Sequence, residues 1–535
     1  MQVGALLAFG LFLGLYGYAE WLEHQRSKRG YKGLHNSEDD VEQPNGKVPN
    51  GKVPNGTAAA PQSPTNGGMA AAAAQQHFSY LGCSFARCLL LDEQALLDTR
   101  LNLRAAVEFG TIMLWYYLAD RTKTFPRGTK EYSRDVLAFI FATLTLVAAW
   151  TSMKKSRAVV LLNRQQTEEW KGWMQVLFLL YHYFNAREIY NAIRVFIAGY
   201  VWMTGFGNFS YYYKSKDFCL GRFMAMMWRL NFLVAVTCVV LQNSYMLYYI
   251  CPMHTLFTIM VYAALGIGSR YNNTHTGILV KIGACFVVVF VCWDLKPVFY
   301  AIWGPLTFFM GYSDPRKPTN DLLHEWHFRS SLDRYVWIHG MICAYIHPWC
   351  EAALHKVDAM ALRTRLAVRT VIVTVTTAVF AVWYQTVYVL PKLEYNQLHP
   401  YTSWIPISCW AVIRNLTPGL RGYSLGLFGW LGCITLETYI GQFHTWLLTD
   451  IPDGQPKLLL HFLPAAYPLL NFGLASAVYV YVSYRLFLLT NVLRQAVVPA
   501  KAGAELVRNV VVIAASTGSL VAAGALLLRL RLLAQ

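Results

Sequence analysis

The sequence predicts an all-α, polytopic transmembrane helix bundle of about 12 to 15 membrane segments, with no soluble catalytic domain. Three observations carry this expectation. Hydrophobic residues fill 55% and charged residues 14% of 535 positions, and the mean hydropathy is +0.32, outside the range of an ordinary soluble domain. Apolar runs long enough to cross roughly 30 Å of hydrocarbon recur along the whole chain. Aromatic residues, 15% of the chain, gather at the ends of those runs, as at Tyr211, Tyr212, Tyr213 and Trp404, where amphipathic rings favour the membrane–water interface.

The first run, Gly4 to Trp21, has no basic leader and continues straight into Glu23 and His24, which predicts an uncleaved anchor over residues 1–30. Residues 31–88 read as a disordered linker. Asn, Gly, Pro, Ala and acidic residues dominate there, Asn45 to Pro49 repeats as Asn50 to Pro54, and nothing is apolar enough to build a core. Residues 89–494 are expected to form the membrane domain. Its first runs are Leu103 to Leu118, Val136 to Trp150, Trp173 to Phe184, Ile193 to Tyr211, Phe223 to Val240, Tyr245 to Ile267 and Ile278 to Trp293. Val298 to Tyr312, Tyr335 to Trp349, Val368 to Leu390, Trp404 to Ile413, Ser424 to Leu447 and Tyr467 to Leu488 follow. The shorter runs suit re-entrant or interfacial segments as well as spans. Residues 495–535 make a tail with a polar break, Lys501 to Arg508, and a last helix, Val507 to Leu528, whose Ala and Gly content suits close helix packing.

The net charge of +17 comes from the loops, where basic residues usually mark the cytoplasmic face and also attract an anionic leaflet or substrate. Arg26 to Arg29 follows the first helix, and Arg121, Lys123, Arg127, Lys130 and Arg134 follow the second, so both clusters cannot lie inside. The run from Lys154 to Arg157 supports a cytoplasmic first cluster and a lumenal N-terminus. Eleven cysteines stand singly, mostly in apolar runs, with no Cys-x-x-Cys pair, as expected of buried thiols and not of a disulfide framework or zinc site. No metal and no nucleic-acid partner are expected.

Four polar blocks interrupt the apolar runs. In the first, His324, Glu325, His327, Arg329, Asp333 and Arg334 follow Asp314 and Arg316. If the segment is helical, His324 and His327 share a face while Glu325–Arg329 and Arg329–Asp333 are four-residue ion pairs. A solvated interfacial helix fits equally. The His324-Glu325-Trp326-His327 spacing is not the zinc-protease one, which needs histidines four apart. In the second block, Arg187, Asn191 and Arg194 line one face at a helix entrance, where charge either snorkels or meets substrate. The third places Pro252 and His254 in a greasy segment, and His254 is the leading candidate for a general base, with a hydrogen-bonded structural histidine as its alternative. In the fourth, Glu437 and His444 lie two turns apart, either as a relay or as caps. Asn272 and Asn415 head Asn-x-Thr sequons.

Read together, these blocks resemble the Cas-type membrane O-acetyltransferase family, most closely its plant reduced-wall-acetylation branch. The matching text runs from Tyr200 to Tyr213 and includes Asp217-Phe218, Met227 to Asn231 and Tyr248 to Phe257. It continues through Leu323 to Arg329, His399 to Pro406, Leu436 to Tyr439 and Phe443 to Trp446. The stretch Leu431 to His444 is also similar to a block of bacterial acyltransferase-3 membrane enzymes, with Cys433 where lysine often stands.

The resemblance implies a many-helix bundle in the Golgi membrane. It also implies O-acetylation of cell-wall or other secreted polysaccharides from cytosolic acetyl-CoA. His254, His324 and His327 would then supply acid/base catalysis, and Arg194, Glu325, Arg329, Asp333, Arg334, Glu437 and His444 would bind substrate. Animal and fungal relatives join this membrane part to a lumenal SGNH esterase-like domain. That domain is not seen in this sequence, so a separate lumenal SGNH-type acetyltransferase is an expected partner. A carrier of acetyl-CoA or acetyl groups that supplies such an enzyme is the alternative, and a scaffold is a third.

Overall fold

The structure is a computed structural model that describes residues 1–38, 84–122, 124–126, 128, 130–156, 159–314, 318–447, 468–499 and 503–533. Its helices begin with α1 (Gln2–Glu38), α2 (Ser84–Leu89), α3 (Glu93–Asp98), α4 (Arg100–Arg121), α5 (Arg134–Ser152), α6 (Arg164–Phe184) and α7 (Tyr190–Ser215). They continue with α8 (Leu220–Leu241), α9 (Ile250–Gly266), α10 (His275–Val289), α11 (Lys296–Trp303), α12 (Thr307–Met310), α13 (His324–Leu332), α14 (Val336–Ala359) and α15 (Leu362–Trp383). The last are α16 (Lys392–Thr402), α17 (Trp404–Asn415), α18 (Pro418–Gly422), α19 (Gly426–Cys433), α20 (Thr435–Gly441), α21 (Pro468–Val497) and α22 (Ala504–Leu533).

Several bounds differ from those expected. Helix α1 runs on to Glu38 and α2 starts at Ser84, so both ends of the expected linker are helical, while its tandem repeat lies outside the described residues. The run from Val298 to Tyr312 is not one span. Pro305 lacks the N–H that a continuing helix needs, and the chain passes from α11 through a 3₁₀ turn, Gly304–Leu306, into the single turn of α12. The run from Ser424 to Leu447 is also broken, into β2 (Tyr423–Leu425), α19, α20 and a π turn at Gln442–Trp446. Strand β2 pairs antiparallel with β1 (Met153–Lys155), setting Lys154 opposite Ser424.

Among the described residues, seven helices are long and apolar enough to cross a membrane: Gln2–Lys28, Arg134–Ser152, Leu220–Leu241, His275–Asp294, Leu362–Tyr388, Leu469–Val497 and Ala504–Leu530. Helices α6, α7 and α14 are also long, at 21, 26 and 24 residues, but carry more polar groups. They can do so because neighbouring helices pack against their polar positions, leaving Gln175, Arg194 and Asn208 buried.

The chain divides into two compact units, Met1–Gly110 with Gln495–Gln535, and Thr111–Arg494. In the first, α1 and α22 pack through small residues, and a Cβ at Gly524 would lie 3.0 Å from the Gly4 nitrogen. Leu15, Ala19, Leu22, Ala95, Leu96 and Leu103 form its core, and Asp92 caps α3 by accepting from the Ala95 N–H. In the second unit, backbones cross at glycines. A Cβ at Gly172 of α6 would fall 1.8 Å from the Phe428 carbonyl oxygen of α19, and one at Gly205 of α7 would fall 2.0 Å from the Trp337 oxygen of α14. Both contacts require glycine. The sequon residues Asn272 and Asn415 are buried, with their amide nitrogens donating to the Leu265 and Ala411 oxygens at 2.8 Å each, so neither is presented for glycosylation.

Candidate active site

Members of the first and fourth polar blocks meet the third along one stretch of the second unit, Tyr245 to Thr258. Ser244 starts a 3₁₀ turn at Tyr245–Tyr248 by accepting from the Met246 N–H, and α9 begins two residues later. Pro252 therefore sits in the first turn of α9, where no intrahelical N–H is needed, and the helix is not broken there. From this stretch Tyr248 hydrogen-bonds His444, and the Tyr249 ring carries the Arg329 guanidinium at 4.4 Å. The charge of Glu437 reaches Cys251, and His254 meets Thr204 of α7.

The His254 contact fixes a proton. Nδ1 lies 2.7 Å from Thr204 Oγ1, and the threonine hydroxyl gives its only hydrogen to the Tyr200 carbonyl at 3.2 Å. With that hydrogen on the carbonyl, Thr204 accepts from Nδ1 and Nε2 of the neutral ring presents a lone pair; this is the tautomer a general base at His254 requires. His254 is enclosed by protein yet keeps accessible surface, as do Arg229, Glu325 and Arg329, whose side chains are each 29% exposed.

Asp333, buried at the junction of α13 and α14, accepts from Arg194 Nη2 at 2.8 Å and contacts His399 Nε2 at 3.3 Å. Its charge reaches His254 as well. Helix α16, which carries His399, is eleven residues long and too short to cross a membrane. Burial pushes the His399 imidazole below its ordinary value, against the raising pull of Asp333. Neutral His399 therefore gives its Nε2 hydrogen to Asp333, with Nδ1 facing the Tyr395 hydroxyl at 2.9 Å. Arg194 is buried, and its Nε and Nη1 groups have no hydrogen-bond partner. Orphan donors of this kind call for a ligand or a function.

The other predicted residues are already committed. Arg334 forms a fork on Asp294 at 3.2 and 2.8 Å and also donates to the Tyr401 hydroxyl and the Ser331 carbonyl. Arg329 pairs with Glu325 at 2.7 Å, the expected four-residue pair, but Asp333 turns to Arg194 instead. His327 Nε2 lies 3.3 Å from the Trp293 carbonyl, and His324 is exposed at the start of α13. Glu437 binds Arg229 of α8 by both oxygens, and His444 places Nδ1 3.1 Å from Asp120. The two are not paired, because the π turn at Gln442–Trp446 gives His444 its own set of neighbours.

Asp120 was not singled out from sequence, and Thr204, Arg229 and His399 stood only within stretches that carry the family resemblance, although Arg229, a charge in the middle of an apolar run, carried a readable signal. A separate cavity of about 310 Å³ lies on the opposite face of α7, walled by Trp170, Trp173, Phe196, Trp383 and Trp410. It is apolar and contains none of the four blocks.

Residues 74–511 match the family described as the 10 TM acyl transferase domain found in Cas1p. The chain is 30% identical over 428 residues to the N-acetylneuraminate (7)9-O-acetyltransferase of Danio rerio, covering 76% of this chain and 52% of that protein. The chain thus spans about half the length of the curated relative it matches. No solved structure matches it. With a multi-helix membrane architecture and a family match over most of its length, this chain belongs to the Cas1p-type membrane acyltransferase family.

Proposed function

We propose that this protein transfers acetyl groups from acetyl-CoA to hydroxyl acceptors, with His254 as general base. The observation that supports this most is the Tyr200–Thr204–His254 chain, which leaves the Nε2 lone pair of a partly accessible imidazole free. The acceptor hydroxyl gives its proton to Nε2 as its oxygen attacks the acetyl carbonyl. The carbonyl oxygen gains charge as the tetrahedral intermediate forms. Collapse breaks the carbon–sulfur bond, and the proton passes from the imidazolium to sulfur. His324 and His327 take no part in this step.

The acceptor is a polysaccharide or another secreted glycan, and the compartment is the Golgi. The likeness to the plant branch and a relative named for O-acetylation of a sugar acid support that assignment. Lys154, Lys155, Arg164, Arg369, Arg414 and Arg421 lie at the bundle end knit together by the β1–β2 ribbon, and this basic end supports a cytosolic donor side there. A second reading draws on the same two-ended arrangement: acetyl-CoA or acetyl groups pass through to a separate lumenal SGNH-type acetyltransferase.

Purified protein in detergent, given labelled acetyl-CoA, is expected to release free CoA and pass label to a glycan hydroxyl. His254→Ala is expected to lose at least about a hundredfold. Unchanged turnover in that variant overturns the assignment of the base. Intact CoA accumulating inside proteoliposomes favours the carrier.

A further inference from the structure

We propose that Arg365, Arg369 and Arg421, gathered on Asp358, form a binding site for a phosphate ester. The three arginines come from α15 and α18 and meet one acidic residue near the end of α14. Arg369 Nη2 donates to Asp358 Oδ1 at 2.6 Å, Arg421 Nη2 donates to Oδ2 of the same carboxylate, and Arg365 Nη1 donates to the Asp358 carbonyl oxygen at 3.0 Å. Arg421 also donates from Nη1 to the Asn415 carbonyl at 2.7 Å, which fixes its plane. Three guanidinium charges against one carboxylate leave this group with a positive surplus. Glu169 does not offset it, because that carboxylate is paired with Arg414 at 3.1 Å.

The surplus is held where water screens it poorly. The side chains of Arg421, Arg369 and Asp358 are only 3%, 16% and 18% exposed, and the Nε groups of Arg365 and Arg369 are buried without a hydrogen-bond partner. Crowded cations with unused donors call for an anion. Helix direction points the same way. Helix α15 starts at Leu362 with no side-chain cap and no acidic residue in its first turn, where Arg363 and Arg365 stand instead. The positive end of a helix and the cations beside it repel each other and together attract an anion. Guanidinium forks match phosphate oxygens in shape as well as charge, and one phosphate has oxygens enough for more than one fork.

The position of the group limits what brings the phosphate. Arg421 adjoins the β1–β2 ribbon, since Asn163 donates to its carbonyl at 3.2 Å and the Ser156 N–H donates to the Gly422 carbonyl at 2.7 Å. Leu362 also opens one of the stretches long and apolar enough to cross a membrane, so the group stands at a membrane edge. Two molecules carry phosphate esters to such a place. One, which rests on the acyl-transfer reading, is acetyl-CoA, whose nucleotide end docks on the arginines. The other is a phospholipid headgroup.

The test compares the full chain in detergent with the double variant Arg365→Gln, Arg369→Gln, in two arms. The first titrates CoA and pantetheine, which lacks every phosphate, and follows turnover of acetyl-CoA. The second adds phosphatidic acid to phosphatidylcholine micelles and reads the melting temperature. With the coenzyme as ligand, CoA is expected to bind the wild type about 10- to 100-fold tighter than pantetheine, and the double variant to lose most of that margin, keep its affinity for pantetheine, and lose turnover mainly through KM. With a lipid as ligand, phosphatidic acid raises the melting temperature of the wild type and not of the variant, while the CoA margin is the same in both. Either result keeps the phosphate site and identifies its source. Arg365→Gln alone leaves both bonds to the Asp358 carboxylate in place and serves if the double variant does not fold, with a partial loss expected. A folded variant that keeps both the CoA margin and the lipid shift overturns the proposal. A wild type that turns over acetyl-CoA but shows neither effect also overturns it and leaves acyl transfer intact. A lipid shift that is lost in the variant, in a protein that does not turn over acetyl-CoA, removes acyl transfer and keeps the site.

Discussion

Arg194 and Asp333 are joined across 139 positions of sequence by a 2.8 Å ion pair whose side chains are 2% and 0% exposed. Removing either partner strands the other charge where water cannot reach it. Asp333→Ala is therefore expected to lower stability by about 3–5 kcal/mol, read as a fall in melting temperature in detergent. The double replacement Arg194→Met with Asp333→Leu is expected to regain most of that stability and none of the activity. Full activity in the double variant would show that the pair serves only to hold α7 against α13.

The Thr204–His254 contact predicts a different signature. Thr204→Val keeps the shape but leaves Nδ1–H without its acceptor, so the imidazole is free to adopt the tautomer that points a hydrogen from Nε2. The expected result is a fall of about 10- to 100-fold in kcat with little change in KM. Thr204→Ser, which restores the oxygen, is expected to recover most of the rate. Equal losses in Val and Ser would point to packing instead.

His399 predicts the pH dependence of stability. Burial holds its pKa in the folded protein below the ordinary value of about 6.5. Its contribution to stability is then complete above that value. As pH falls further, the unfolded chain takes up a proton that the folded chain resists, so the contribution is lost toward the folded-state value. Melting temperatures between pH 8 and pH 5 are expected to fall more steeply for the wild type than for His399→Gln. Parallel slopes would mean that His399 is not a source of the pH dependence.

Much of the bundle could be read directly from the apolar runs. Val136 to Trp150, Phe223 to Val240 and Ile278 to Trp293 each lie in a helix long enough to cross a membrane. Reading failed where backbone chemistry outweighed hydropathy. Pro305 breaks one expected span, and the extended segment Tyr423–Leu425 breaks another by pairing with Met153–Lys155. Of the site, His254 and Arg194 were marked by charge inside apolar sequence, because ionisable groups are costly in a membrane. His399 was not. It follows a short polar segment, Lys392 to Gln397, and nothing local tells that it is buried against Asp333.

The sequence by itself determined the solvent of this protein and the places where polarity interrupts it, since hydrocarbon admits only helices whose side chains are apolar or shielded. It also carried the family. Only the tertiary structure decided the pairings. Glu437 belongs to Arg229 and His444 to Asp120, where one helical face would have paired them with each other. Thr204, not a carboxylate, sets the tautomer of His254. Side-chain partners of this kind depend on how each helix is rotated about its axis. That rotation is set by long-range packing at points such as Gly172 on Phe428 and Gly205 on Trp337, which spacing along the chain does not encode.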